Sequence, residues 1–87
     1  LSVNLPQINL GECKGVCRIA HLHDNLPGVL AHVNHVLGEE HINVSFQSLA
    51  TEGELGYVVT DVAQKPSAAT LEALRNIEGT IRMRVIS

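Results

Sequence analysis

Eighty-seven residues are enough for one domain with a single core, and an apolar content of 45% argues against a disordered tail. No apolar run approaches the length of a bilayer span, and no basic stretch followed by an apolar one stands at the front, so a soluble, cytoplasmic protein is expected. A net charge of −3, scattered basic residues, one Phe, one Tyr and no Trp leave no charged stripe or stacking platform for nucleic acid. Cys13 and Cys17, in a chain without a secretion signal, read as free reduced thiols. Because the first residue is Leu, a piece of a longer protein is expected.

Residues 1–15 carry Pro6, Gly11 and Gly15 among Asn and apolar residues with no period, and read as a linker or an extended segment lying on the domain. Regular patterning begins at Val16, so the folded domain is expected over 16–87. Val16 to His23 suits a strand. After a polar turn, Val29, Leu30, Val33, Val36 and Leu37 fall on one helical face, with Gly38 near its end. Ile42, Val44 and Phe46 alternate with Asn43, Ser45 and Gln47, which predicts a half-buried strand. Glu52-Gly53-Glu54 makes a turn into a second, more apolar strand, Leu55 to Val62, and the two form a hairpin. Pro66-Ser67 opens another helix with Leu71, Leu74 and Ile77 inward, and Gly79 ends it. Ile81, Met83 and Val85 alternate with Arg82 and Arg84, giving a last strand with one wet face. The order βαββαβ is the ferredoxin-like α+β arrangement: a four-stranded antiparallel sheet with two helices on one face.

The densest chemistry lies in His21-Leu22-His23-Asp24-Asn25-Leu26-Pro27-Gly28-Val29-Leu30, where a strand turns into a helix. Pro27 suits the first helical position because its missing N–H would be unpaired there. Gly28 lets another molecule approach the backbone closely. The first-turn N–H groups around Gly28, Val29 and Leu30 can seat a carboxylate, aided by the helix dipole. His23 and Asn25 can hydrogen-bond an amino or hydroxyl group. A bland alternative stands beside this: Asp24 and Asn25 can be simple turn and capping residues, and Gly28 a packing glycine.

Other constellations carry less. His21 and His23 share one strand face, and His32 and His35 lie three apart on a helix. With Cys13 and Cys17 they make six borderline ligands, yet without paired zinc-type spacing. Neither cysteine stands at a helix start, which argues against thiol catalysis. None of the seven glycines forms Gly-x-Gly, and no nucleophile has a base partner, so no catalytic residue is assigned and no cofactor is expected in this chain.

Together the Val3-Asn4-Leu5-Pro6 segment, the His21–Leu30 run, Ile42-Asn43, Gly56-Tyr57-Val58-Val59-Thr60-Asp61-Val62 and Gly79-Thr80-Ile81-Arg82 resemble the ACT domain. They are most similar to the regulatory ACT domains at the C-termini of bacterial D-3-phosphoglycerate dehydrogenases. That resemblance implies a non-catalytic regulatory module of an NAD-dependent enzyme, giving feedback inhibition in serine biosynthesis. It implies L-serine held between two copies, by His23 and Asn25 of one and Asn43 of the other. Two copies would pair through an edge strand running from Ile42 to about Leu49. The family often has Gly at the position of His41; His tolerates positive φ better than most residues, so the turn is expected to survive at modest cost. Two other functions are open at this point: an oligomerisation domain without a ligand, and a small metal-binding domain.

Overall fold

Twice along the chain an alternating pattern gives way to a helical one, and a computed structural model describing residues 11–86 follows those changes. Residues 1–10, with most of the expected linker and its Val3–Pro6 motif, lie outside the described residues. The elements are β1 (Cys17–Asp24), α1 (Val29–Glu39), β2 (Val44–Glu52), β3 (Leu55–Val62), α2 (Ala68–Arg75) and β4 (Thr80–Ile86). The strands form one antiparallel sheet in the order β2-β3-β1-β4, so β2 and β4 are its edges. This is the expected ferredoxin-like architecture.

One sheet face is covered by the helices. Cys17 and Ile19 of β1 and Val62 of β3 pack against Val29, Val33 and Leu37 of α1 and against Leu74 and Ile77, with Val36, Ile42, Leu71 and Met83 at the margin. Alternation carries the same row of β1 on to His21 and His23, both buried. The opposite row, Ala20 and Leu22, is buried as well, as befits an inner strand.

Helix ends follow local chemistry. α2 starts at a Ser67 cap whose hydroxyl accepts from the Thr70 N–H at 3.2 Å. α1 ends in a Schellman arrangement: Ile42 N–H donates to the Leu37 carbonyl and His41 N–H to the Gly38 carbonyl, each at 3.0 Å. His41 takes the left-handed position, φ 55°, where glycine is usual. Ile42 follows it back onto the core, which completes the motif's apolar contact.

Four sequence expectations need correction. Pro27 is not the first helical residue; α1 begins at Val29, and Gly28 is its cap at φ 85° and ψ 0°. Those angles are the third position of a type II turn, which favours Pro before it and requires glycine itself. The second strand begins at Val44, not Ile42, and a bulge between Val44 and Phe46 breaks its alternation. Val44 therefore pairs with Val62 on the helix side, whereas Phe46 lies opposite Asp61 on the other face. Ile77 is buried but lies past the end of α2, and buried Thr70 takes its place within the helix. On β4, Met83 packs on the core, but Ile81 and Val85 remain exposed; Ile81 sits at a bulge, since Leu22 pairs with Arg82 and His23 with Thr80.

Candidate effector-binding site

The loop from Asp24 to Gly28 is pinned from both sides. Asp24 N–H donates to the Gly79 carbonyl at 2.8 Å, and Asn25 N–H donates to the Glu54 carbonyl at 2.8 Å. The loop thus rides on the β2–β3 turn and on the entry to β4. The Asp24 carbonyl accepts twice, from the Leu26 N–H at 2.7 Å and from the His23 ring at Nδ1, also 2.7 Å. A carbonyl can only accept, so Nδ1 of His23 carries the proton. In the neutral ring Nε2 is then an acceptor. That Nε2 is buried and has no partner among the described residues.

His21 differs from its neighbour. Its Nε2 meets the Thr80 hydroxyl at 2.7 Å, and its ring centroid is 5.5 Å from that of His23. Burial, and then the nearby His23, lower its pKa to about 4, so it is neutral at pH 7. The shared face expected for the two rings is observed; the tie to Thr80 and the Asp24 carbonyl were invisible in the sequence.

An open cleft of about 320 Å³ lies against this loop, bounded by Asp24, Asn25, Leu26, Gly53 and Glu54. A smaller one of about 100 Å³ is lined by Leu26, Pro27, Gly28, Val29, His32, Ile77 and Glu78. Asn25 is exposed at the first; Pro27, Gly28 and Val29 reach only the second, and Leu30 is half-buried beside it in sequence but lines neither. The first turn of α1 has no side-chain cap and no acidic residue, and among the described residues nothing but its chain neighbours lies within 4 Å of where a Gly28 Cβ would stand. The approach to that backbone is open.

Asn43 is not brought to this loop within one chain. It precedes β2 at the Cys17/Val62 end of the sheet, whereas Asn25 follows β1 at the Asp24/Leu55 end. Eight strand residues, about 26 Å, separate the two levels. The backbone of Asn43 is anchored: its N–H donates to Gln64 Oε1 at 2.8 Å and its carbonyl accepts from Ala63 at 2.9 Å. Its residue is exposed.

The other candidate chemistry disperses. Cys13 is exposed and Cys17 buried, both free, and burial pushes the Cys17 thiol up from its ordinary range. His32 and His35 are exposed on α1, with His35 Nε2 at 3.4 Å from Glu39. No three His, Cys, Asp or Glu side chains among the described residues come close enough together to hold a metal ion. Among the same residues no helix is long and apolar enough to cross a membrane.

Sequence reading missed a fully buried carboxylate with three hydrogen bonds. Asp61, fully buried, accepts from Arg18 Nε at 2.7 Å and Nη2 at 3.0 Å, and from the Lys14 N–H at 2.8 Å. Arg18 also donates to the carbonyls of Gly11 and Glu12 at 2.9 and 3.1 Å, fastening residues 11–15 to the sheet. The Arg18 guanidinium holds the Asp61 carboxyl below the usual carboxylate range. A signal was available: a charge of each sign inside two apolar strands that pair.

Within this βαββαβ sheet, with a glycine-capped helix following its first strand, residues 19–82 match the AHAS small subunit-like ACT domain. The chain belongs to the ACT-domain family. It is 41% identical over 85 residues to D-3-phosphoglycerate dehydrogenase of Haemophilus influenzae and 38% identical over 87 residues to that of Escherichia coli K12, covering 98% of this chain in each case. The match spans only 21% of either relative, so the chain corresponds to about a fifth of such an enzyme. Among solved structures, an unknown protein from Galdieria sulphuraria shares the fold with a TM-score of 0.69 at 15% identity, over 79% of this chain and 42% of that one.

Proposed function

We propose that this chain is the non-catalytic regulatory domain of an NAD-dependent D-3-phosphoglycerate dehydrogenase, binding a small amino acid, L-serine, as a feedback inhibitor. The observation that carries this reading is the unpartnered, buried Nε2 of His23, next in sequence to a loop whose Asn25 opens on a cleft. A buried acceptor without a partner costs about 1–3 kcal/mol, and a hydroxyl or ammonium donor from a ligand removes that cost. Uncapped N–H groups at the start of α1 supply the complement for the carboxylate.

Asn43 enters through a second copy. An antiparallel pairing of β2 edges about a two-fold axis near Ser48 brings Asn43 of the second copy level with the Glu52–Gly53 corner, at the rim of the cleft that Asn25 lines. Both copies must then be joined for the site to be complete. Ligand binding favours the joined state, and a catalytic part held differently in that state is inhibited through this difference in affinity.

Calorimetric titration of L-serine into the chain, at a concentration where sedimentation shows a dimer, tests the reading. Saturable binding that His23→Ala abolishes is expected. No heat from a confirmed dimer, at two temperatures, contradicts it and leaves a ligand-free oligomerisation domain.

A further inference from the structure

Glycine inside a strand forfeits side-chain packing and is retained where something must approach the backbone. Gly56 is such a case. It lies in β3, an inner strand, directly opposite His23 of β1 and opposite Thr51 of β2. Its own residue is buried, and it has none of the positive φ that would call for glycine on conformational grounds. A Cβ built there would run into the His23 imidazole: it would lie 2.9 Å from Nε2 and 3.0 Å from Nδ1, and closer still to Cε1. All three atoms belong to one edge of the ring, so the ring fills the space that the missing side chain leaves.

The consequence is chemical as well as steric. With the ring in that slot, Nδ1–H reaches the Asp24 carbonyl at 2.7 Å, and Nε2 is left buried and without a partner among the described residues. A ring pushed out by a methyl group loses that donation and with it the fixed tautomer. We infer that Gly56 is a positioning residue whose missing side chain forms the slot for His23, fixing the ring so that Nε2 is its free acceptor. The effector role of Nε2 rests on the function proposed above; the slot and the tautomer do not.

The test uses Gly56→Ala and His23→Ala, singly and together, with two readouts. Long-range proton–nitrogen NMR of the ¹⁵N-labelled chain reports which ring nitrogen of His23 carries hydrogen. Protonated Nδ1 and bare Nε2 are expected in the wild type, with that pattern lost in Gly56→Ala. A wild-type ring protonated at Nε2 alone, or an unchanged pattern in the variant, overturns the inference. Urea denaturation of the four proteins closes a double-mutant cycle, and where Gly56→Ala alone is poorly folded the recovery of a folded double variant reads out the same coupling. Gly56→Ala is expected to be harmful with the ring present and tolerated in the His23→Ala background. Equal harm in both backgrounds means that Gly56 serves the backbone and not the ring, and overturns the inference. L-serine titration of Gly56→Ala should show at least a tenfold loss of affinity. If the wild type itself binds no serine, the proposed function fails, while the NMR and the cycle still judge Gly56.

Discussion

The two ends of the sheet treat buried polar groups in opposite ways. At the end where β1 begins and β3 finishes, Asp61 is fully buried and every direction around it is answered, by Arg18 twice and by Lys14. At the other end His23 is equally enclosed, yet one ring nitrogen has no partner among the described residues. The first arrangement closes on itself and needs nothing further. The second leaves a standing cost that a donor reaching Nε2 would remove, the role assigned to the ligand in the proposed function. On the function proposed above, the contrast separates a polar group that serves the fold from one that serves a ligand.

Breaking the satisfied end should cost the most stability. Asp61→Ala strands the Arg18 guanidinium and releases residues 11–15, and should lower unfolding free energy by about 3 kcal/mol in urea titrations. The unsatisfied end offers a different lever, acidity. His21 has a folded pKa of about 4, below its ordinary 6.5, so the unfolded chain binds the extra proton first. Stability should therefore fall as pH drops from about 6.5 towards 4, by on the order of 2–3 kcal/mol. The Asp61 end answers in a lower window: its depressed carboxyl contributes stability above the ordinary carboxylate pKa of 3.8, lost as pH falls further through the folded value. Denaturation curves at stepped pH should resolve the two windows, and a single acid transition below 3.8 would remove His21 from the account.

Smaller effects sharpen the comparison. Asn43→Ala should weaken L-serine binding by about 1–3 kcal/mol while leaving the melting temperature of the domain unchanged, because its side chain has no hydrogen bond among the described residues. His41→Gly should stabilise the fold by about 0.5–1 kcal/mol, since glycine adopts the left-handed position at φ 55° without the Cβ penalty. Thermal denaturation measures it.

Much of the architecture was legible because periodicity reports which face is buried. The first strand, observed one residue later than expected over Cys17–Asp24, the hairpin about Gly53 and the inward row of α1 except Leu30 all follow from spacing. What spacing cannot report is an inserted residue: the bulge at Ser45 reversed Phe46 against Val44 although their spacing of two had placed them together. The start of α1 was misread for a related reason, since Pro27 serves a turn and a first helical residue equally well. At the candidate site, the shared face of His21 and His23 follows from their separation by two. The slot at Gly56 and the network at Asp61 join residues 33 and 43 positions apart, and register alone brings such residues together.

In the proposed site one chain supplies His23 and Asn25 while a second supplies Asn43. This division is tested most directly by mixing His23→Ala and Asn43→Ala chains, neither of which binds L-serine strongly alone. In mixed dimers both lesions fall in one of the two sites and leave the other intact. Calorimetry is expected to regain strong binding in the equilibrated mixture, at about one site per mixed dimer. A mixture that binds no better than its two components would place the three residues within a single chain's site, or outside any site, and would contradict it.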